Sequence, residues 1–336
     1  MKSEDMILKA AIIHILDSSV GIPVLSDTPL EIGPDFSDFI KAHIEKITES
    51  DDAKHCQFSE TSEVNELLQN ITPDNFVETS KKLTEMLYDI MNSNIDIPAA
   101  DIAMVVFSAA GYDYLAFLKM NYKASYTHAT KEADGGNHNH IILQRALLPG
   151  QGQKLSEAFV VNLSDGSILL TEKKYEVNGE KRFYLSEMFL ECHAPLSQKS
   201  KLDIVTKAVE QVAHKYYGEE DAEKKMEIKN IICTELEEEG EIKVASLREK
   251  VFPDSPEMLE ALDEKLDKYN MAYETLQPKN EQTIKKFQKQ RLTTDTGIEI
   301  TIPMEEYRNP DHVEFITNMD GTISVLIKNI GLLTSR

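Results

Sequence analysis

The spacing of hydrophobic residues changes along the chain and predicts alternating helical and strand-rich regions. In residues 34–94, and again in residues 197–270, apolar side chains recur every three or four positions, the period of amphipathic helices. In residues 101–193, short apolar runs separated by glycine-containing turns predict an antiparallel meander of about five to seven strands. The predicted strands are 102–108, 114–122, 141–148, 158–163, 167–174 and 182–192, and the predicted helices include 36–47, 65–70, 74–92, 202–216, 222–239, 244–251 and 256–269.

The two ends of the chain carry shorter patterns. Apolar runs at residues 10–16 and 22–25 flank Ser18-Ser19-Val20-Gly21 and predict a β-hairpin, although a helix over residues 6–16 fits the same pattern. Near the other end, residues 298–302, 312–317 and 322–328 predict three short strands. Asp165-Gly166, Asn178-Gly179 and Asp320-Gly321 predict tight turns, because such pairs adopt the positive φ angles that hairpin turns need.

Together these patterns predict an α+β fold in two domains. Residues 1–195 would pack N-terminal helices on the antiparallel meander, and residues 196–336 would form a mainly helical domain that ends in a small three-stranded sheet. A chain of 336 residues with 41% hydrophobic and 28% charged residues suits two globular domains.

Targeting features and cysteines point to a cytoplasmic protein. No apolar run approaches the roughly 18 residues of a membrane span, and the N-terminus lacks the pattern of a signal peptide. Cys56, Cys192 and Cys233 are far apart in sequence and odd in number, so disulfides are not expected and a reducing compartment fits.

Charge is the property that most constrains function. The chain has 58 acidic and 36 basic residues, a formal net charge of -22. DNA affinity comes mostly from Lys and Arg side chains that contact phosphates, so any DNA contact must use a local concentration of cations. Residues 219–274, the acidic block, hold 18 acidic against 8 basic side chains.

A positive segment follows the acidic block directly. Residues 279–291, the basic segment, carry five cations against Glu281, with Phe287 among them. Cations of this kind could bind phosphates while the aromatic ring anchors the segment or stacks. The alternative is a solvated stretch that leads into the C-terminal strands, with Phe287 in the core. The cations are Lys279, Lys285, Lys286, Lys289 and Arg291, with Lys123 and Lys131 as lesser candidates elsewhere.

The acidic block itself is a poor candidate for DNA recognition. Its predicted helices 244–251 and 256–269 could form a helix-turn-helix, but the second helix has five acidic residues against Lys265 and Lys268 and would be repelled by phosphates. A docking face for a basic protein partner and a simply solvated face both remain open.

Catalytic and metal-binding patterns are weak. His138 and His140 flank Asn139 and would share one strand face, but a metal site would also need His128, Glu132 or Asp134. Cys192-His193 are adjacent, so on a strand they face opposite ways and cannot pair as nucleophile and base. No phosphate-binding loop is present. The sequence therefore predicts a non-enzymatic protein without a cofactor, with a metal-dependent hydrolase as the remaining alternative.

Several stretches resemble the bacterial nucleoid-associated protein family. They are IIHILDSSVGIPVLSDTPLEI near the start, RFYLSEMFLECH before the long helix, and KKFQKQRLTTDTGIEITIPMEEY with DGTISVLIKNIG near the end. The resemblance covers nearly the whole chain and implies a two-domain α+β build and DNA association in the nucleoid. It does not imply catalysis.

We therefore predict a nucleoid-associated protein that binds double-stranded DNA weakly through its backbone, without sequence specificity. The alternative is an acidic adaptor recruited to the nucleoid by a basic partner that binds residues 219–274. A homodimer is expected for a backbone binder, because two copies double a small basic patch.

Overall fold

The computed structural model describes residues 1–17, 21–133, 136–217 and 222–334. The chain forms two compact units, the N-terminal unit Met1–Leu196 and the C-terminal unit Ser197–Arg336. The fold class is α+β, as predicted. The N-terminal unit contains a short 3-10 helix (Ser3–Asp5), β1 (Ile7–Leu16), α1 (Pro34–Thr48), β2 (Lys54–Phe58), α2 (Glu63–Gln69), α3 (Phe76–Asn92), β3 (Ala100–Ala109), β4 (Tyr112–Asn121), β5 (Lys123–Ala133), β6 (Gly136–Leu147), β7 (Glu157–Asn162), β8 (Ile168–Thr171), β9 (Tyr175–Val177), β10 (Glu180–Arg182), a π-helical turn (Leu185–Phe189) and β11 (Cys192–His193).

A seven-stranded antiparallel sheet organises the N-terminal unit, in the order β1-β3-β4-β7-β8-β2-β11. Its central strands are apolar at nearly every position because both faces are covered. Along β3, Ile102 and Met104 join the core cluster that contains α3, whereas Val105 and Phe107 join the cluster that contains α1. The two alternating side-chain sets of one strand therefore serve two separate cores.

The N-terminus forms a strand, which excludes the helix over residues 6–16. β1 pairs with β3 along its length, from Ile7 opposite Ser108 to Leu16 opposite Ala100. The predicted hairpin is reduced to a single bridge between Ile15 and Val24, because β1 buries more apolar surface beside a central strand than beside a short loop. The predicted turn residues Ser18, Ser19 and Val20 lie outside the described part of the chain.

Other strands depart from the predicted meander. β2 lies within the region predicted as helical and joins the sheet between β8 and β11. β5 was not predicted, since its residues 123–133 lack an apolar alternation. The predicted strand 182–192 is wrong: β10 ends at Arg182, and Leu185–Phe189 form a π-helical turn whose Leu185 and Phe189 are buried. The apolar side chains of this stretch all pack into the same core. The backbone therefore forms a helical turn instead of an extended strand, whose side chains would alternate between two faces.

The predicted tight turns at Asp165-Gly166 and Asn178-Gly179 are confirmed. Gly166 has φ +71° in the connection between β7 and β8. Asn178 and Gly179 have φ +52° and +83° between β9 and β10, as a two-residue turn of type I′ requires.

The C-terminal unit is mainly helical and matches the predicted helices closely. Helix α4 (Gln198–Tyr217) has Leu202, Val205 and Val209 in the same apolar cluster as Leu262 of α7 (Pro256–Asp267). The predicted stripe of α4 ends in an exposed Tyr216, and its predicted end at Gly218 lies outside the described residues. The elements are α4 (Gln198–Tyr217), α5 (Ala222–Glu238), β12 (Ile242–Lys243), α6 (Val244–Val251), α7 (Pro256–Asp267), β13 (Thr275–Leu276), α8 (Glu281–Lys285), β14 (Lys289–Thr293), β15 (Glu299–Pro303), α9 (Met304–Tyr307), β16 (Val313–Thr317) and β17 (Ile323–Ile327).

The three predicted C-terminal strands do not form one sheet. β16 and β17 pair with each other around the turn that contains Gly321, at φ +84°. β15 instead pairs with β14, a strand that was not predicted because charged residues Lys289 and Arg291 interrupt its apolar pattern. The small sheet is therefore two separate hairpins. None of the helices in the described ranges combines the length and the apolar composition of a membrane span.

Candidate nucleic-acid interface

The basic segment has a defined local structure. Asn280 caps α8, with its side-chain oxygen accepting the backbone N–H of Gln282 at 2.9 Å. After α8 the chain turns and enters β14 at Lys289. Half-buried Phe287 packs against both apolar clusters of the C-terminal unit. The ring therefore anchors the segment and fixes where its cations stand.

All five cations of the basic segment are exposed, but acidic neighbours already engage two of them. Lys285 pairs with Glu281 at 2.8 Å, one helical turn away. Arg291 pairs with Glu299 on the adjacent strand β15. Such surface pairs are weak, yet each one reduces the positive field that a phosphate would meet.

Lys286 and Lys289 are in a different position. Neither ammonium has an ion-pair partner among the described residues, and both side chains are exposed. Lys289 also shares the outward face of β14 with Arg291, because alternate residues of a strand point the same way. These two lysines are the cations of the segment best placed to meet phosphate oxygens.

A cavity of about 620 Å³ lies between α4, α5 and the basic segment. Its lining includes the cations Lys225, Lys229 and Lys286, together with the acidic Glu210. The buried hydroxyl of Thr206, which also lines the cavity, has no hydrogen-bond partner among the described residues. The remaining lining residues are Gln211, Ala213, His214, Ile228, Ile232, Phe287 and Gln290.

Lys229 of α5 forms hydrogen bonds with the basic segment. Its Nζ donates hydrogen bonds to the backbone oxygen of Lys289 at 2.7 Å and to Oε1 of Gln290 at 3.0 Å. Burial lowers the pKa of Lys229, and the nearby Glu210 carboxylate only partly offsets this effect. A partly desolvated ammonium at a cavity favours an anion beside it.

Lys225 and Lys229 were missed by sequence reasoning, because they lie inside the acidic block. Their spacing of four residues was the available signal, since residues i and i+4 of a helix share a face. The net charge of a block therefore concealed a local basic face that α5 presents next to the segment.

The exposed face of α7 is acidic. Glu257, Glu260, Glu264 and Asp267 are all exposed and recur every three or four residues, opposite the buried Met258, Leu262 and Leu266. A helix with this face repels phosphates and suits a basic protein. The glutamates Glu219 and Glu220 and Asp221 of the acidic block lie outside the described residues.

The lesser candidates Lys123 and Lys131 lie on the β5–β6 hairpin of the N-terminal unit. Residues that pair directly share a face, so Lys131, His138 and His140 lie on one face, while His128 opposite Ile141 lies on the other. The three imidazoles therefore do not converge. Across the described residues, no group of three or more His, Cys, Asp or Glu side chains could hold a metal ion, and Asp134 lies outside them.

The fold brings two of the three distant cysteines together. Cys56 on β2 and Cys192 on the neighbouring β11 are free thiols, as is Cys233. A hydrogen bond from the Cys56 thiol to the Cys192 sulfur, together with burial, raises the pKa of Cys56. A raised pKa keeps the thiol protonated and unreactive.

The fold and this surface define an acidic α+β protein with a local group of exposed cations at the basic segment. Residues 12–332 match the family model described as nucleoid-associated protein YejK. The chain therefore belongs to this nucleoid-associated family, as the sequence resemblance indicated. The family's description names an association with the nucleoid and no reaction. No curated protein shows significant similarity to the chain.

Proposed function

We propose that this nucleoid-associated protein contacts duplex DNA directly, through the phosphate backbone and without sequence specificity. The observation that carries this proposal is the pair of exposed cations Lys286 and Lys289 next to α5. Lys286 lines the same cavity as Lys225 and Lys229, and the backbone oxygen of Lys289 accepts a hydrogen bond from Lys229. α5 and the basic segment thus bring lysines into one region of a chain of net charge -22. Backbone contact of this kind is weak and sensitive to salt.

The remaining cations of the segment play a secondary role in this proposal. Lys285 and Arg291 must leave Glu281 and Glu299, or share them, before they can bind a phosphate fully. Lys279 lies at the start of the segment and extends the same basic stretch. We place this contact in the second of two separate folding domains, 1–195 and 196–336, of a cytoplasmic, non-enzymatic protein.

The proposal is tested by titrating the purified full chain against random-sequence duplex DNA at low and moderate salt. Lys286→Gln/Lys289→Gln should weaken binding and lower the magnitude of the slope of log K against log salt by about 1.8, since each lost phosphate contact removes about 0.9. The control Lys173→Gln/Lys181→Gln removes two exposed lysines of the N-terminal unit and should leave the slope unchanged. Absence of binding at low salt would exclude direct contact, whereas an unchanged slope in the first variant would exclude only this location.

A second candidate is an adaptor that reaches the nucleoid through a basic protein. The exposed acidic stripe of α7 favours it, because four carboxylates on one helix face form a coherent negative surface. Glu260→Lys/Glu264→Lys should then abolish nucleoid localisation of a fluorescent fusion in cells. Under direct DNA contact, the same variant should keep its localisation, because the added positive charge favours phosphates.

A metal-dependent hydrolase is a third candidate function. It requires a metal that stays bound through purification, and elemental analysis that finds none would exclude it.

The oligomeric state bears both on direct DNA contact and on the adaptor. A homodimer would present two copies of the basic surface to one duplex and raise the effective affinity without new contacts.

A further inference from the structure

The cavity between α4, α5 and the basic segment is built entirely from the C-terminal unit. Its volume of about 620 Å³ lies in the range of pockets that hold small organic ligands. Both helices line it with residues three or four positions apart, the spacing of one helix face. These residues include Thr206 and Glu210 of α4 and Lys225, Ile228, Lys229 and Ile232 of α5.

Part of the cavity lining is apolar. Ile228 and Ile232 are buried members of the main apolar cluster of the unit, and half-buried Phe287 packs against the same cluster. An apolar lining favours a ligand that brings apolar surface of its own, because water is then released from both. An inorganic ion, which keeps its hydration, would gain nothing from these side chains.

The charged part of the lining is positive on balance. Three lysines, Lys225, Lys229 and Lys286, stand against Glu210. The two hydrogen bonds of Lys229 described above go to uncharged oxygens, a backbone carbonyl and a side-chain amide. Because burial lowers the pKa of this ammonium, an anion beside it would favour its charged form. The cavity therefore combines an apolar surface with an excess of cations.

A buried hydroxyl in the lining has no partner. Oγ1 of Thr206 makes no hydrogen bond within the described residues, although a helical threonine can bond to the carbonyl one turn earlier. A buried polar group without a partner costs stability. A ligand with a polar atom next to this hydroxyl would remove that cost.

We propose that the cavity binds a small organic anion, that is, a molecule with one anionic group on an apolar body. The lysines hold the anionic group, the isoleucines and Phe287 cover the body, and the Thr206 hydroxyl donates to a polar atom of the ligand. Duplex DNA does not match this lining, because its outer surface offers phosphates and sugars. Lys286 also belongs to the proposed DNA surface, so the bound anion should compete with DNA for it, a consequence that rests on the proposed function.

Anilinonaphthalene sulfonate is a suitable probe, because it carries one sulfonate on an aromatic body and fluoresces in apolar surroundings. Titration of the full chain should show saturable binding of this probe. Excess inorganic phosphate should displace it no more than sodium chloride of equal ionic strength does, because phosphate lacks the apolar body. N-phenylnaphthylamine, which has the same rings without the sulfonate, reports on the apolar part of the site alone.

Substitution of a lysine separates the anionic group from the body. Lys286→Gln should raise the dissociation constant of anilinonaphthalene sulfonate about threefold to tenfold and change that of N-phenylnaphthylamine by less than about twofold. Lys207→Gln is the matched control. It changes an exposed lysine of α4 that follows Thr206 but does not line the cavity, so it should leave both constants within about twofold.

Substitution of the unpartnered hydroxyl separates binding from folding. Thr206→Val keeps the shape of the side chain and should raise the dissociation constant of anilinonaphthalene sulfonate about threefold or more. The urea midpoint should not fall, because the hydroxyl makes no bond to the described part of the fold. A residue that served only the fold would show the opposite pattern, a lower midpoint and an unchanged dissociation constant.

Four results would overturn the proposal: no saturable binding of anilinonaphthalene sulfonate, its specific displacement by phosphate, equal weakening of both probes by Lys286→Gln, or an unchanged affinity in Thr206→Val. These titrations contain no DNA, so their failure leaves the proposed DNA contact intact. The competition is measured by filter binding of a labelled duplex. Saturating probe should raise the DNA dissociation constant at least about twofold in the wild-type chain, and an unchanged constant would overturn the competition.

Discussion

The buried Lys119 of the N-terminal unit and the exposed lysines of the basic segment in the C-terminal unit differ in what surrounds their charges. In the N-terminal unit, Lys119 and Glu157 have fully buried side chains, with Nζ and Oε2 3.1 Å apart. Asn121 and Tyr175 each donate a hydrogen bond to Glu157 Oε2 at 2.7 Å, and Tyr184 donates to Oε1. In the C-terminal unit, by contrast, Lys286 and Lys289 are exposed and have no ion-pair partner within the described residues.

This contrast separates charge that specifies structure from charge that can bind a ligand. A buried, fully hydrogen-bonded pair holds strands and side chains in one arrangement, but its fields cancel before they reach solvent. An exposed cation contributes little to stability and is available to a phosphate. The net charge of -22 sums both kinds and therefore says little about where DNA can bind.

The largest expected effect on stability comes from removing one partner of the buried Lys119–Glu157 pair. Glu157→Gln should lower the free energy of unfolding of the N-terminal unit by about 3–5 kcal/mol, because Lys119 is left buried without a counter-charge. Urea unfolding followed by circular dichroism measures this change. Glu180→Gln, which removes one partner of an exposed pair with Arg182, should cost less than about 0.5 kcal/mol.

Adding Lys119→Met to Glu157→Gln should recover part of the lost stability, because the unpaired buried charge is then gone. A Glu157→Gln variant within about 0.5 kcal/mol of wild type, the range of ordinary surface substitutions, would mean that the pair has no structural role.

The pH dependence of stability should report on the same Lys119–Glu157 pair. Burial acts to raise the pKa of Glu157, but Lys119 and the hydrogen bonds from Asn121, Tyr184 and Tyr175 outweigh it and hold that pKa below its usual value. A carboxylate with a depressed pKa stabilises the folded state above the ordinary glutamate pKa of 4.5 and loses this contribution as pH falls through the folded value. The stability gap between wild type and Glu157→Gln should therefore be largest near neutral pH and shrink on acidification. A gap that does not vary with pH would contradict an ionised Glu157.

In the C-terminal unit, the sharpest comparison is between paired and unpaired cations. Lys286→Gln/Lys289→Gln should weaken DNA binding about tenfold at low salt while changing the free energy of unfolding by less than about 0.5 kcal/mol. Lys285→Gln/Arg291→Gln should have a smaller effect on binding, because Glu281 and Glu299 already offset these two cations. Fluorescence anisotropy with a labelled duplex distinguishes the pairs, and a larger loss in the second variant would reverse the assignment.

The smallest expected effect is a gain in DNA affinity and not a loss. Glu281→Gln/Glu299→Gln releases Lys285 and Arg291 and should strengthen DNA binding by a few-fold at low salt, with the gain vanishing as salt screens the added charge. Glu176→Gln/Glu180→Gln, a matched pair of exposed acids in the N-terminal unit, serves as the control. Equal gains in both variants would mean that net charge, and not the position of the basic segment, governs binding.

Local signals in the sequence were sufficient for several elements. Helix α6 covers residues 244–251 as predicted, because its apolar period and flanking turns are local. The turns at Asn178-Gly179 and Asp320-Gly321 also follow from the residues alone, since few other pairs adopt positive φ readily. The family assignment likewise followed from scattered local stretches of sequence.

Elements that depend on distant partners were missed. β2 is a strand because β8 and β11 pair with it, although residues 34–94 read as helical. The π-helical turn Leu185–Phe189 replaces a predicted strand where Tyr184 donates a hydrogen bond to Glu157 across the core. Secondary structure yields to tertiary context where pairing and burial outweigh local preference.

The sequence by itself determined the α+β class, the excess of acid and the position of the basic segment, because these properties depend on composition and local period. Only the tertiary structure decided which cations are available. It buried Lys119 against Glu157, paired Lys285 and Arg291 with acids, and brought Lys229 from the acidic block to the segment. It also left both faces of the β5–β6 hairpin in solvent. The physical reason is that the effect of a charge depends on the groups within a few ångströms and on its exposure to water, and folding sets both.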